Sequence, residues 1–244
     1  MRTKGILLAA LLILVSAGCA SIPKEDREPY DPWEAVNRPI WTFNYTFDRY
    51  LLRPLAKGYD TVAPKPVKFA VFNFFENLRT VGYIPNHLLQ GKFAGAARQT
   101  GRLVINTVLG LGGIIDAASD AGLKAEPEDF GQTFAVWGLP QGPFVQIPGL
   151  GPKTILDSFG WYADRFTDPL WQYDNSSVRD KLLILRYVDN RRRLLPGDEA
   201  IREAPDSYVF VREAYLQRRR FLIYDGNPPI EDIELDFEDE EFED

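Results

Sequence analysis

The sequence predicts a mainly α-helical fold built from broken amphipathic helices, with one glycine- and proline-rich loop or short hairpin. Apolar residues recur at helical spacing in several separate segments, and 19 glycines and 18 prolines interrupt them. Apolar residues make up 45% of the chain and charged residues 26%, which is ordinary for a globular protein and excludes wholesale disorder. At 244 residues the chain can bury a sizeable core in one large domain or two small ones.

The N-terminus predicts export and lipidation. Residues 1–18 read as a secretory signal, with two basic residues, a short apolar run and small residues before the only cysteine. The closing Ser-Ala-Gly-Cys resembles a bacterial lipobox, which makes Cys19 the expected carrier of a covalent N-acyl and S-diacylglycerol lipid. An ordinary cleaved signal would leave an exported protein with one unexplained free thiol. The residue after the cysteine is Ala20 rather than Asp, which by resemblance to enterobacterial lipoprotein sorting favours the outer membrane over retention in the inner one. Residues 19–30 form the expected tether between the lipid and the folded domain.

An aromatic-rich segment follows this tether. Aromatic residues alternate with other residues from 41 to 47, a period of two that is compatible with a strand. The apolar pattern continues to Leu55, however, and over this longer range it fits helical spacing better. The helix is either part of the core or lies at a membrane interface, because Trp and Tyr favour the boundary between headgroups and hydrocarbon. The aromatic residues of the segment are Trp33, Trp41, Phe43, Tyr45, Phe47 and Tyr50.

Two further helices and an apolar stretch come next. The spacing predicts a helix over 64–78, a loop over 80–85 and a helix over 86–102. Residues 103–118 are almost wholly apolar but fall short of the roughly 20 residues that cross a bilayer, and three glycines interrupt them. The stretch is therefore either a buried hairpin or an element that lies partway into a membrane.

The C-terminal half begins with a weakly patterned region. Residues 126–157 hold five prolines and several glycines, which predicts a loop or a short hairpin. Helices are expected at 155–163, 176–190 and 206–224. Residues 227–244 are predicted to be a disordered acidic tail, so 31–226 is the expected single domain.

The charge distribution is uneven. The formal net charge is −7, yet residues 231–244 carry ten acidic and no basic residues, which leaves the body close to neutral. The body shows no footprint for nucleic acid. Two arginine triplets, 191–193 and 218–220, are typical of solvated helix faces, and lipid-headgroup sites are the alternative.

The sequence offers little for catalysis. His87 is the only histidine and Cys19 the only cysteine, which excludes a Cys/His nucleophile pair and a Cys/His metal cluster. No serine lies in a G-x-S-x-G elbow, and His87 is expected to be a capping or surface residue. Three carboxylates, Asp157, Asp164 and Asp168, are interpreted as helix caps or ion-pair partners. The chain is predicted not to be an enzyme, and no cofactor or metal is expected.

A series of motifs runs in order across residues 31–224, and together they resemble the VacJ/MlaA lipoproteins. The motifs are DPWEAVNR (31–38), FNY (43–45), RPLA (53–56), FENL (75–78), NHLLQG (86–91), NTVLGLGGIID (106–116), DFGQT (129–133), GPFVQIP (142–148) and YVFVREAY (208–215).

The resemblance implies a ring-like domain of helices embedded in the inner leaflet of the outer membrane, with an amphipathic channel through its middle. Such proteins remove phospholipids misplaced in the outer leaflet and pass them to a soluble periplasmic carrier, which maintains lipid asymmetry. Family members associate with trimeric porins. These partners, the phospholipid itself and the outer-membrane location are what the resemblance leads us to expect.

Three groups of site residues follow from the resemblance and from the patterns above. The channel and lipid-contact group is Asn106, Thr107, Leu109, Gly110, Gly112, Gly113 and Asp116. The group expected to gate the channel is Gly138, Pro140 and Gly142, in which proline stands where family members often have glycine. The group placed at the membrane entrance is Trp41, Thr42, Phe43, Asn44 and Tyr45.

Two other functions remain as alternatives. An envelope phospholipase would hydrolyse the same lipids and would depend on a particular Ser or Asp. A structural lipoprotein would only tether other envelope components, and it would tolerate bulky substitutions at Leu109 or Gly113.

Overall fold

Helices dominate the computed structural model, which describes residues 30–229. The predicted signal, Cys19 and nearly all of the acidic tail lie outside the described residues. Within this range the helices are α1 (Glu34–Phe47), α2 (Arg53–Val62), α3 (Lys65–Leu89), α4 (Phe93–Val108), α5 (Ala117–Asp120), α6 (Phe130–Val136), α7 (Ile155–Asp164), α8 (Ser176–Leu194), α9 (Asp198–Glu203) and α10 (Ser207–Ile223); a π-helical turn covers Asp48–Leu52, a 3₁₀ turn covers Leu195–Gly197, and β1 (Phe144–Ile147) and β2 (Gly151–Thr154) form an antiparallel hairpin.

The aromatic segment is helical, as its extended spacing predicted. Helix α1 passes through the π-helical turn into α2, with right-handed helical backbone at both junctions. Pro54 stands at the start of α2, directly after this turn. A proline ring clashes with the carbonyl one turn earlier in a regular α-helix, and the wider π turn gives that carbonyl room.

The predicted loop at 80–85 is wrong, because α3 runs through it. Pro85 lies inside the helix and removes one backbone hydrogen bond. Burial of the flanking side chains offsets this loss: Tyr83 donates to Glu76 Oε1 at 2.7 Å, and Asn86 Oδ1 accepts from Thr133 Oγ1 at 2.7 Å. The helix break comes instead after residue 89, and α4 begins at Phe93 rather than at residue 86.

The apolar stretch splits into a helix end and a glycine turn. Helix α4 ends at Val108, and Leu111, Gly112 and Gly113 then adopt positive φ angles of 54°, 73° and 92°. The Gly113 N–H donates back to Asn106 O at 2.8 Å. The turn reverses the chain here because glycine accepts left-handed backbone that other residues rarely adopt.

The C-terminal half follows the prediction closely, with two additions. The hairpin lies within the predicted loop region and pairs Phe144 with Thr154, while the short helices α6 and α9 were not predicted. Helices α7, α8 and α10 each lie within a few residues of the predicted bounds.

Burial is inverted relative to a water-soluble protein. Among the described residues, polar and charged side chains outnumber apolar ones in the buried set. Large apolar side chains are exposed instead, for example Tyr50 at 73% and Val62 at 82%. A small apolar cluster does exist where Phe144 packs edge-on against Tyr208 and Tyr215. Between residues 30 and 229 no helix is both long and apolar enough to cross a membrane.

Candidate functional site

Three adjoining cavities lie among the helices. The first, which we call the aromatic cavity, has a volume of about 640 Å³ and is lined by Trp161 and Trp171 among other residues. A second cavity of about 780 Å³ lies next to His87, and a third of about 360 Å³, the polar cavity, lies beside Asn106. The aromatic and polar cavities share four lining residues: Arg79, Tyr83, Pro127 and Arg218.

The aromatic cavity presents an arginine held between two indole rings. The Arg165 guanidinium lies 3.8 Å from the Trp161 ring centroid and 4.4 Å from that of Trp171. No described carboxylate pairs with it, and its buried Nε has no hydrogen-bond partner among residues 30–229. The rings stabilise the cation through their quadrupoles. The arrangement leaves a positive charge at the cavity wall.

A buried ion cluster supports the wall of this cavity. Arg219, on α10, lies 2.6 Å from carboxylate oxygens of both Asp129 and Asp157, and the Tyr215 hydroxyl donates to Asp157. Burial disfavours ionisation of Asp129, but the Arg219 guanidinium outweighs burial and lowers the Asp129 pKa. Burial dominates at Asp157 and raises its pKa.

Asp164 completes the cluster from the end of α7. Its Oδ1 accepts the Phe130 N–H at 3.1 Å, and its carboxylate borders the aromatic cavity. Burial, with the nearby charge of Asp129, raises the pKa of Asp164 to about 7. This carboxyl group therefore changes charge near neutral pH.

The polar cavity contains two matched ion pairs. Arg102 binds Asp116 at 3.0 Å, and Arg79 lies 3.3 Å from Glu76. Asn106 donates to Asp116 at 2.9 Å. Burial of Asp116 opposes its charge, but hydrogen bonds from Ser119, Asn106 and Arg102 outweigh burial and lower its pKa.

Comparison with known proteins identifies the family. A family model described as MlaA lipoprotein matches residues 29–222. The chain is 35% identical over 251 residues to the "Intermembrane phospholipid transport system lipoprotein MlaA" of Escherichia coli (strain K12), covering 98% of each chain. The protein of the same name from Haemophilus influenzae is 35% identical over 236 residues, covering 93% of each chain.

This chain belongs to the MlaA lipoprotein family. A solved structure described as the "Structural basis for maintenance of bacterial outer membrane lipid asymmetry" agrees with this assignment. It superposes with a TM-score of 0.72 and 34% identity over 81% of this chain and 100% of the solved one. The resemblance seen in the sequence motifs is confirmed, as is the mainly helical fold with a short hairpin.

The predicted channel residues of this MlaA lipoprotein family member fall into two sets. Asn106 and Asp116 line the polar cavity. Thr107 and Leu109 are exposed, the latter at 68%, and neither lines a cavity described above. The three glycines shape the turn rather than a cavity wall: Gly110 lies against Asn106 and Ile115 backbone, Gly113 lies against Asn77, and Gly112 faces open space.

The predicted gating and entrance residues lie away from these three cavities. Gly138 and Gly142 have φ angles of 88° and 68° and flank an exposed Pro140 between α6 and β1. At the entrance group on α1, Asn44 holds the hairpin: its Nδ2 donates to Ile147 O at 3.0 Å, and its Oδ1 accepts the Gly149 N–H at 2.8 Å. The remaining entrance residues are Trp41 and Tyr45, whose rings pack at 5.7 Å, and the exposed Thr42 and Phe43.

Two sequence interpretations are corrected by this site. His87 is buried rather than a capping or surface residue, with Nε2 3.1 Å from Glu126 O and the ring packed against Gly95. The arginine triplets are not simply solvated faces, since Arg219 is buried and Arg191 binds Asp48 at 2.6 Å.

The three carboxylates behave as the sequence predicted. Asp157 and Asp168 are ion-pair partners, of Arg219 and Arg186 respectively, and Asp164 caps α6 by accepting the Phe130 N–H. Arg165 and Arg219 were missed as site residues. The spacing of Tyr208, Arg212, Tyr215 and Arg219 on one face of α10 was the signal that could have identified Arg219 as buried.

Proposed function

We propose that this protein is an outer-membrane phospholipid-transport lipoprotein that helps to maintain lipid asymmetry. It removes phospholipids misplaced in the outer leaflet and passes them to a periplasmic carrier protein. The observation that best supports this function is the inverted burial, in which many large apolar side chains are exposed and polar side chains and cavities lie inside. Family membership, and the named function of the E. coli relative, support the same conclusion.

A position in the inner leaflet of the outer membrane agrees with the exposed apolar surface. Phe43 and Phe47 stack at 6.4 Å on the outside of α1, and Tyr50 and Leu51 continue the exposed apolar face through the π turn. In water this surface would cost free energy at about 25 cal/mol per Å² of apolar area. Hydrocarbon removes that cost, and a ring of short helices reaches through one leaflet only. Cys19 lipidation would hold the ring at the periplasmic side.

The cavities suit the passage of an amphipathic molecule. Walls of Trp161, Trp171 and Leu183 accept acyl chains, whereas the amides and arginines of the polar cavity accept headgroups. Passage requires no chemical step, so the direction of net flux follows the lipid gradient. A trimeric porin and a soluble periplasmic carrier are the partners we propose. Rotation about Gly138 and Gly142 is the proposed gating motion.

The test is to narrow the aromatic cavity without disturbing the outer surface. Leu183 lines this cavity from α8, whereas Val178 is exposed on the same helix. In a strain that lacks the protein, we expect wild type and Val178→Trp to restore low outer-leaflet phospholipid, and Leu183→Trp to fail at equal protein levels. Outer-leaflet phospholipid is measured by enzymatic acyl transfer onto lipopolysaccharide. Equal rescue by both variants would rule out transport through this cavity, and no change on deletion would favour a scaffolding role.

A further inference from the structure

The polar cavity carries positive charge that the described part of the chain does not neutralise. Four arginines and two carboxylates line it. Two of the arginines, Arg79 and Arg102, are matched by Glu76 and Asp116. The two left over are Arg193 and Arg218.

Both remaining arginines are solvent-exposed, and neither has a counter-ion among residues 30–229. The Arg193 guanidinium lies over the Phe72 ring at 3.8 Å, a contact that orients the cation without neutralising it. The Arg218 side chain forms no ion pair or hydrogen bond with any other residue in the range 30–229. The next residue on α10 contrasts with it, since Arg219 is held by buried Asp157 and half-buried Asp129.

Arg218 also borders the aromatic cavity, so the acids on that side have to be considered. Glu128, Asp129 and Asp168 are bound by Lys92, Arg219 and Arg186 respectively. Asp164 accepts the Phe130 N–H and has a pKa raised to about 7, so it is only partly charged at neutral pH. On that side Arg165 adds a further unpaired cation, held between the two indoles.

The rest of the polar cavity lining suits a hydroxylated headgroup. The side chains of Asn73, Asn77 and Asn106 border the space, together with Thr80. Asn77 is 6% exposed, and its buried Oδ1 has no partner within the part of the chain that the structure describes. A ligand hydroxyl that donates to this oxygen would satisfy it.

We propose that the polar cavity is a phosphate subsite for anionic phospholipids, with Arg193 and Arg218 supplying the charge, so that phosphatidylglycerol is preferred to phosphatidylethanolamine. The phosphate of either lipid gains charge-assisted hydrogen bonds from the guanidinium groups. The ammonium group of phosphatidylethanolamine is repelled by the remaining positive charge, whereas the glycerol headgroup is not. This selectivity rests on the proposed function, because it requires a phospholipid to occupy the cavity.

The experiment measures which lipid stays bound. Full-length protein is equilibrated in detergent with equal amounts of phosphatidylglycerol and phosphatidylethanolamine of the same acyl composition, and bound lipid is quantified by mass spectrometry. We expect wild type to retain phosphatidylglycerol preferentially. In the double variant Arg193→Gln, Arg218→Gln the ratio should fall roughly three- to tenfold, because the two charges that repel the ethanolamine ammonium are removed and such a repulsion is worth about 1 kcal/mol in water. Raising the salt from 0.1 M to 1 M should weaken the wild-type preference in the same direction.

Two controls make the outcomes distinct. Arg202→Gln removes an exposed arginine of α9 that lines none of these cavities, and it should leave the ratio unchanged. Circular dichroism melting tests whether the double variant is folded; each single variant is measured in the same way. Replacing chloride by inorganic phosphate at constant ionic strength tests for a free-phosphate site.

Each result has one meaning. Equal binding of the two lipids by wild type, or a preference that the folded double variant keeps, would overturn the phosphate subsite and leave the transport proposal intact. Loss of lipid preference in inorganic phosphate would assign the site to free phosphate instead. Absence of any bound phospholipid in every protein would overturn both proposals.

Discussion

The Asp164 carboxyl group should make the protein less stable as the pH rises. Its folded-state pKa is about 7, whereas an aspartate in an unfolded chain titrates near 3.9. Between about pH 4 and pH 7 the folded protein therefore holds a proton that the unfolded chain has lost, which favours the folded state at the acidic end of this window. Above pH 7 that contribution is gone. Asp164→Asn should remove the effect, because the carboxamide is neutral and its oxygen can still accept the Phe130 N–H.

The magnitude follows from the two pKa values. Their difference corresponds to at most about 4 kcal/mol in the free energy of unfolding. Asp164 lies at the wall of an open cavity, where water screens the charge, so we expect about half of this, ~2 kcal/mol. For a domain of this size, ~2 kcal/mol shifts the melting temperature by roughly 4–8 °C.

The assay is thermal unfolding in detergent micelles, followed by circular dichroism at pH 4.5 and pH 8. The Asp164→Asn variant should melt at a higher temperature than wild type at pH 8 and at nearly the same temperature at pH 4.5. A matched substitution, Asp174→Asn, changes an exposed carboxylate and should leave the pH dependence as in wild type. A variant that melts with the wild type at both pH values, or below it at pH 8, would refute the argument.

Three further predictions concern stability and the hairpin. Gly113→Ala should destabilise the protein by roughly 2–4 kcal/mol, because Gly113 has a φ of 92° and an added Cβ would lie 2.4 Å from Asn77 Cβ. At Gly112 an added Cβ meets open space, so Gly112→Ala should cost roughly 1 kcal/mol. Thermal melts of the two variants measure both effects. Arg219→Met should cost roughly 2–4 kcal/mol in urea unfolding, since it leaves buried Asp157 and half-buried Asp129 without their cation. Asn44→Ala should expose the hairpin to faster amide hydrogen exchange by removing both of its hydrogen bonds to the hairpin, at a cost of roughly 1–3 kcal/mol.

Each of these has a control and a contrary outcome. Equal melting of the two glycine variants would show that the turn relaxes around Asn77. Arg202→Met, at an exposed ion pair, should change urea unfolding by less than about 1 kcal/mol, and a similar loss at both arginines would mean that burial of the cluster is not the cause. Thr42→Ala removes only a contact within α1, so hairpin exchange that speeds up equally there would contradict the role of Asn44.

Periodicity alone was sufficient for the elements that behave as ordinary amphipathic helices. Helices α7, α8 and α10 have clear N-terminal caps in Thr154, Asn175 and Asp206, and their spacing located them within a few residues. The loop predicted around Pro85 is wrong because local propensity contains no information about the contact of Asn86 with Thr133, 47 residues along the chain. That contact, with the Tyr83–Glu76 hydrogen bond inside α3, offsets the backbone hydrogen bond that Pro85 removes.

The candidate site was harder to predict, because the protein places its polar groups inside. The spacing places Arg219, but not Arg218, on the face of α10 that carries Tyr208 and Tyr215. It does not show which carboxylates this face meets, because that depends on how α10 packs against α6 and α7. Motif resemblance located Asn106 and Asp116, which do line a cavity, but it gave no indication of Arg165 or of the indoles that hold it.

The inverted burial has a consequence for how the chain gains its stability. A fold with polar groups inside and apolar groups outside gains little from the hydrophobic effect in water, and its hydrogen bonds and ion pairs define shape more than they drive folding. Under the leaflet placement proposed above, the acyl chains bind the folded form and not the unfolded one, so they act on the folding equilibrium as a ligand does. The free energy of unfolding then depends on the surrounding lipid or detergent as much as on the sequence. Melting temperatures should rise with detergent concentration above the micellar threshold, and delivery to the membrane and acquisition of the native fold become a single thermodynamic event.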